Sequence, residues 1–195
     1  MTIDKPDMLL WMDVETTGLD PDRDRILEVE LRCTDMKGVL CVGGFHRVIG
    51  LAERNVSITD ENFKAWRMHC ANGLLEDAFD AGYTEAATAN GLEEYVDSLA
   101  QSFTLHPAGS NPQFDLDFIG RLCPNLPLHY HRIDMATIRD SLEAAGWDVR
   151  PEEETPVASA HRTGTCLDRD IRQYARIIRH LSAHPVRYVA TKAAR

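Results

Sequence analysis

Two acids close an apolar run near the start of the chain. In LLWMDVETTGLD, residues 9–20, Asp13 and Glu15 follow Leu9, Leu10, Trp11 and Met12. A period of two reads this run as a strand, with Leu10, Met12 and Val14 on one face and Leu9, Trp11, Asp13 and Glu15 on the other. Both carboxylates then leave the strand on the same side. Like charges one pleat apart repel, and each loses hydration beside a core, so a counter-charge is required. A divalent cation with hard oxygen ligands, Mg²⁺ or Mn²⁺, supplies one. The plainer reading is a strand that ends in solvent with both acids hydrated, because D-x-E is a short pattern. Thr16-Thr17-Gly18 marks a tight exit from the strand.

A pair of cations about 4 Å apart needs acids from several segments. SNPQFDLDFIGRL, residues 110–122, offers the next. Asn111 and Pro112 start a helix whose Phe114, Phe118 and Leu122 form a buried stripe. Asp115 lies beside that stripe at the border of core and cleft, and Asp117 faces solvent. Taken alone, Asp115 reads equally well as an N-terminal acid favoured by the helix dipole. The third segment is SAHRTGTCLDRDIRQYARIIRHL, residues 159–181. Asp170 stands just before an apolar face of Ile171, Ala175, Ile178 and Leu181. His161 precedes it across a flexible Thr163-Gly164-Thr165. A histidine near metals can take a proton from water, since its ordinary pKa is close to neutrality. Without that context it is an ordinary surface residue.

The elements that must position these residues alternate strands and helices. Arg25–Thr34 and Gly38–Val48 read as two further strands around a hairpin at Asp35-Met36-Lys37. Thr59 with Asn62 caps a helix carrying Phe63, Trp66 and Cys70 as its stripe, and Gly73 interrupts it. Thr84–Ser102 is an amphipathic helix with Ala87, Leu92, Tyr95, Val96 and Leu99 inward. A strand at Phe103–Ala108 leads into the Gln113–Leu122 helix. Arg132–Met135 forms a short strand before a helix at Ala136–Ala145. Residues 147–160 read as an exposed loop, and Asp168–Leu181 as the last helix. Three leading strands followed by alternation predict an α/β fold with a mixed central sheet of about five strands flanked by helices. A single domain is expected over residues 1–182, with 183–195 as a C-terminal tail.

Of the 195 residues, 44% are hydrophobic, enough for a substantial core. No run approaches the roughly 20 apolar residues of a membrane span, and MTIDKPDM does not read as a signal peptide. Five widely spaced cysteines without a C-x-x-C pair predict reduced thiols and a cytoplasmic protein. With 21 Lys and Arg against 31 Asp and Glu, the net charge of −10 disfavours binding to long duplexes. A small metal-loaded pocket that takes a short nucleic acid end remains compatible with it, because bound cations reverse the local potential.

Together the three segments resemble the DEDDh 3′-to-5′ exonucleases, which share an RNase H-like fold. Asp13 and Glu15 resemble the family's D-x-E, Asn111 with Asp115 its N-x-x-x-D, and His161 with an aspartate ahead of IRQYARII its third motif. Within that branch the chain is most similar to oligoribonucleases. LLWMDVETTGLDPDRDRILEVE resembles their opening, HCANGL their H-x-x-S-G-L segment, and LHYHRIDMATIRD their H-Y-x-x-x-D-x-x-T run. Two departures stand out. The family's histidine precedes its metal-binding aspartate by five residues, but five residues after His161 stands Cys166, and the available acids are Asp168 and Asp170. The apolar spacing favours Asp170. At positions matching the family's cap on the 5′-phosphate, formed by serine and arginine, this chain carries Asn111, His131 and Ala136.

The resemblance implies hydrolysis of short RNA or single-stranded DNA from its 3′ end to nucleoside 5′-monophosphates. Asp13, Glu15, Asp115 and Asp170 would hold two Mg²⁺ or Mn²⁺ ions, and His161 would act as base. Thr16, Leu19, Trp66, Asn111 and Tyr130 are the expected substrate contacts, with Leu19 wedged against the terminal base and Tyr130 reaching the partner's site in a homodimer. Trp66 reads equally well as a core residue. Two alternatives stay open. One is a proofreading-type DNA exonuclease acting on longer single strands; the other is a non-catalytic relative that only docks nucleic acid or protein.

Overall fold

The computed structural model describes residues 5–40, 43–51, 57–147 and 161–183. The first strand, β1 (Asp7–Thr16), is the centre of a five-stranded mixed sheet. It pairs antiparallel with β2 (Ile26–Thr34), which pairs antiparallel with β3 (Phe45–Val48). On its other edge β1 runs parallel to β4 (Thr104–Gly109), and β4 parallel to β5 (Ile133–Asp134). The helices are α1 (Phe63–Ala71), α2 (Leu74–Asp80), α3 (Glu85–Ala100), α4 (Pro112–Leu122), α5 (Met135–Ala144) and α6 (Thr163–Ala183).

The alternation in β1 becomes two cores. Met8, Leu10, Met12 and Val14 pack with Leu92 and Val96 of α3 and Phe118 and Ile119 of α4. Leu9 and Trp11 pack on the opposite face with Met135 of α5 and Leu167, Tyr174 and Ile177 of α6. Trp11 is fully buried, and its indole N–H donates to Thr34 Oγ1 at 2.8 Å, which satisfies its single polar group. Its ring meets Tyr174 edge to face at 5.3 Å between centroids. Burial on both faces is why β1 reads as a nearly continuous apolar run until Asp13.

Several expected elements shift. The Asp35 hairpin forms, with the Gly38 N–H donating to the Asp35 carbonyl, but the next strand begins at Phe45 rather than Gly38. In α1 the stripe is not Phe63, Trp66 and Cys70: Phe63 and Cys70 are exposed, and only His69 is buried. This short helix covers the end of β1 and turns its polar histidine inward to meet it. Thr59 and Asn62 do make the reciprocal cap, with the Thr59 N–H donating to Asn62 Oδ1 at 2.8 Å. In α3 the inward residue is Thr88 rather than Ala87, while Thr84 caps the helix as expected.

The largest change is in α6, which starts at Thr163, five residues before the expected Asp168. Its most buried face includes Cys166, Leu167, Asp170, Tyr174 and Ile177; of the expected stripe, Ile171 and Ile178 pack partly buried against the same core, and Leu181 is exposed. Thr163 therefore opens a helix rather than a flexible linker. Of the expected 147–160 loop, residues 148–160 lie outside the described residues, as does the expected tail beyond Ala183.

Gly109 ends β4 where it crosses β1. A Cβ there would stand 2.8 Å from the Met12 carbonyl oxygen, one residue before Asp13. We expect Gly109→Ala to lower the unfolding free energy by about 1–3 kcal/mol, measured by urea denaturation, because the obstructing atom is backbone.

Candidate active site

The β1–β2 ladder sets the chemistry of the site. Asp13 lies opposite Glu30 and Glu15 opposite Glu28, so four carboxylates share one face of two paired strands. The two rows are treated differently. Glu28 is buried and accepts hydrogen bonds from Arg162 Nε at 3.0 Å and Nη2 at 2.9 Å, from the Thr163 N–H at 3.2 Å, and contacts His46 Nε2 at 2.9 Å. Burial alone would raise its pKa, but these partners outweigh it and pull the group down to about 2. Glu30 accepts from Thr163 Oγ1 at 3.0 Å and Arg32 Nε at 2.6 Å. The start of α6 is thus clamped onto the β2 acids, and Thr163 spends its N–H on Glu28 in place of an ordinary cap.

In the β1 row, no arginine or lysine among the described residues pairs directly with Asp13 or Glu15; Arg169 and Arg162 act on them only from a distance. Asp13 Oδ2 is buried with no hydrogen-bond partner among the described residues. Burial, then the charges of Asp115, Glu15 and Asp170, raise the Asp13 pKa well above its ordinary value. Burial, followed by Glu28 and Asp115, pushes Glu15 up to about 9. Asp115, in the first turn of α4, is also buried; it accepts the Val14 N–H at 2.9 Å, and burial raises it to about 7. Three carboxylates that resist ionisation in one place are the electrostatic signature of a site built around a cation.

A cleft of about 280 Å³ opens over this row. Asp13, Glu15, Thr16, Leu19, Asn111, Asp115 and His161 all line it, so β1, the β4–α4 junction and the start of α6 converge as the sequence predicted. Leu19 is 80% exposed at its mouth, near Met68 and Phe114. Asn111 adopts a left-handed backbone at φ 59°, which asparagine tolerates, and its N–H donates to Asp134 Oδ1 at 2.9 Å. His161 is also left-handed, at φ 56°. It is held there because its carbonyl accepts from the Asn72 side chain at 2.8 Å while the next residue, Arg162, is ion-paired to Glu28 and Asp77.

Four residues considered in the sequence lie outside the cleft lining. Asp170 is buried but does not line the cleft. It accepts from Ser110 Oγ at 2.7 Å, Arg169 Nε at 3.0 Å and Arg139 Nη1 at 3.2 Å, and one turn of α6 separates it from the residue that does face Asp13 and Glu15. Asp168 pairs with Arg32 on the surface. Trp66 packs against the Leu27, Leu51, Leu74 and Ala78 cluster rather than lining the cleft, which supports its reading as a core residue. Tyr130, expected at a partner's site, is 77% exposed and lies outside the lining of this chain's own cleft.

Other residues enter to which the sequence reading gave no role at the site. His69 is buried at the cleft, where its Nε2–H donates to the Thr16 carbonyl at 2.9 Å. Burial lowers its pKa below the ordinary histidine value. Arg169 lines the cleft, and so does Cys166. Ligand atoms of Asp13, Glu15 and Cys166 all lie within 4.8 Å of one another. The donor set and the orphaned Asp13 oxygen fit a divalent cation.

No family model matches the chain. An oligoribonuclease from Alkalilimnicola ehrlichii is 31% identical over 193 residues, covering 95% of this chain and 93% of its own. The chain belongs to the oligoribonuclease family. Another oligoribonuclease, from Dichelobacter nodosus, is 30% identical over 145 residues, covering 71% of this chain and 77% of its own. Among solved structures, the zinc-bound complex of E. coli exonuclease I with single-stranded DNA superposes with a TM-score of 0.64 at 16% identity. It covers 93% of this chain, which spans only 41% of that larger protein. That likeness shows the RNase H-like fold expected from the motifs. No helix among the described residues is long and apolar enough to cross a membrane.

The shifted acids give a pH dependence. Without a cation, folded Glu15 and Asp115 hold protons above their ordinary values of 4.5 and 3.8, up to about 9 and about 7. The folded state then binds more protons than the unfolded chain, so their contribution to stability falls as pH rises through this window. Glu28 acts in the opposite sense: its contribution is present above 4.5 and is lost as pH falls toward about 2. We expect the chelated protein to melt at a lower temperature near pH 9 than near pH 6. Mn²⁺ should raise the melting temperature more at the higher pH, as read by scanning calorimetry.

Proposed function

We propose that this chain is a metal-dependent 3′-to-5′ exonuclease that degrades short RNA or single-stranded DNA to nucleoside 5′-monophosphates. The reading is carried by the convergence of Asp13, Glu15, Asp115 and His161 on one cleft in a member of the oligoribonuclease family. Asp13, Glu15 and Asp115 hold the divalent cations, Mg²⁺ or Mn²⁺ being the ions such carboxylates suit. Cys166 stands where the family pattern places the fourth acid. When bound, the cations supply Lewis-acid activation of water and stabilisation of the leaving oxygen.

The chain's own residues do the rest. Glu15 orients the terminal 3′-hydroxyl. The His161 imidazole takes the proton of the attacking water, from a backbone that Asn72, Glu28 and Asp77 hold in place. Leu19 presents an exposed apolar surface to the terminal base, and Asn111 and Thr16 border the same space. Arg169 offers a positive charge to the phosphate. Asp170 supports the wall from behind by fixing Ser110 and Arg169. A homodimer through the exposed Tyr130 belongs to this reading, as does a cytoplasmic setting, which suits the free thiols Cys33, Cys70, Cys123 and Cys166.

A second reading, an exonuclease for longer single strands of DNA, draws on two observations. Asn111, His131 and Ala136 stand at the cap positions, and E. coli exonuclease I, which shares the fold, has been solved in complex with a dT13 oligonucleotide. A 5′-phosphorylated dinucleotide and a 20-mer, each as RNA and DNA, separate the readings. Preference for the dinucleotide supports the first, and preference for the DNA 20-mer the second. With Mn²⁺, Asp13→Ala is expected to abolish mononucleotide release. His161→Ala should lower kcat by about 10²–10⁴-fold; an unchanged rate would remove His161 as the base. No mononucleotide from any substrate would leave a non-catalytic binding protein.

A further inference from the structure

We propose that Asp13, Glu15 and Cys166 form a mixed carboxylate–thiolate centre that holds a borderline-soft divalent cation of the Zn²⁺ or Co²⁺ class in preference to Mg²⁺. The inference deepens the exonuclease reading, because it concerns the ion selectivity of the same cleft.

Three observations converge on it. First, β1 and the second turn of α6, far apart in sequence, bring two carboxylates and one thiol within 4.8 Å of one another. One cation with bonds of about 2.0–2.3 Å can draw such a set together. Second, Asp13 Oδ2 is buried and unpartnered among the described residues, so the cluster contains an acceptor that no donor of the fold serves. Third, apart from Asp115, which lines the same cleft, the neighbouring acids are committed elsewhere. Asp170 is taken by Ser110, Arg139 and Arg169; Glu28 by Arg162 and Thr163; Glu30 by Arg32 and Thr163. What α6 presents to the β1 row is the sulfur of Cys166.

A buried cysteine more often serves as a small apolar filler. Cys166 differs in its company, since it lines the cleft with its sulfur close to the carboxylates of Asp13 and Glu15. Mg²⁺ demands near-octahedral oxygen coordination and binds sulfur poorly, whereas Zn²⁺ and Co²⁺ accept a thiolate with carboxylate oxygens. On binding, the thiol proton passes to solvent and the sulfur lone pair is donated to the metal, with no change of oxidation state.

The test uses the full chain, stripped of metal by chelation and titrated with Co²⁺ alone. A near-ultraviolet thiolate-to-Co²⁺ charge-transfer band is expected in the wild type and in Cys70→Ser, and is expected to vanish in Cys166→Ser. Calorimetric competition should show Zn²⁺ displacing Co²⁺ while excess Mg²⁺ does not. Cys166→Ser should weaken Zn²⁺ binding by about tenfold or more. Cys166→Asp should shift the preference toward Mg²⁺, which also shows that a substituted cleft still folds. Co²⁺ binding without the band, a band that survives in Cys166→Ser, or unchanged Zn²⁺ affinity in that variant overturns the proposal. A wild type that shows the band but cleaves no oligonucleotide keeps this centre and removes the nuclease reading. Cleavage with Mg²⁺ and no Co²⁺ band does the reverse.

Discussion

Four carboxylates on one face of two paired strands are the constraint around which this fold is arranged. Like charges directly across an antiparallel ladder destabilise it, and here two such pairs follow one another, Asp13 with Glu30 and Glu15 with Glu28. The protein resolves the conflict asymmetrically. It neutralises the β2 row with Arg162, Arg32 and the start of α6, and leaves the β1 row without a directly paired arginine or lysine among the described residues. An ion is then the means by which the remaining row can be charged and buried together.

That asymmetry also explains the position of the other parts. Arg162 pairs with Glu28 immediately before α6 begins at Thr163, and His161 precedes it at the cleft. The same helix buries Leu167, Tyr174 and Ile177 against Leu9 and Trp11, so the apolar face of β1 and the clamp on β2 act through one docking event. On the opposite side, the Val14 N–H fastens Asp115 to β1, which ties α4 to the strand that carries Asp13 and Glu15. The β1–β2 register is irregular between Glu15 and Thr16, and there the Thr16 carbonyl accepts from His69.

Much of this was legible in the residues. Period-two alternation in β1 gave both cores and the common side of Asp13 and Glu15. The Asn111-Pro112 start placed Asp115 in the first turn of α4, because proline is suited to that position. The third segment was misread for a physical reason. Thr163-Gly164-Thr165 has weak helix propensity, and the acids that secure it, Glu28 and Glu30, lie more than 130 residues away and are invisible to a local reading. Apolar spacing then moved the helix start to Asp168 and made Asp170 the inward acid of interest. Asp170 is inward, but it faces two arginines. The five-residue step from His161 to Cys166 was the better guide, and its departure from an acid was information about the site. Trp66 shows the ordinary limit of such readings, since an aromatic on a short helix fits core and cleft equally well until tertiary contacts are known.

The clamp between Glu28 and the opening of α6 makes the cleft an all-or-nothing assembly. Until that helix docks, the sheet carries a bare patch of negative charge beside an uncovered Trp11, and His161 has no fixed seat. A partly folded molecule therefore has no reduced version of the active cleft; it has none. For an exonuclease that acts on oligonucleotides, hydrolytic competence then arrives only with the finished fold.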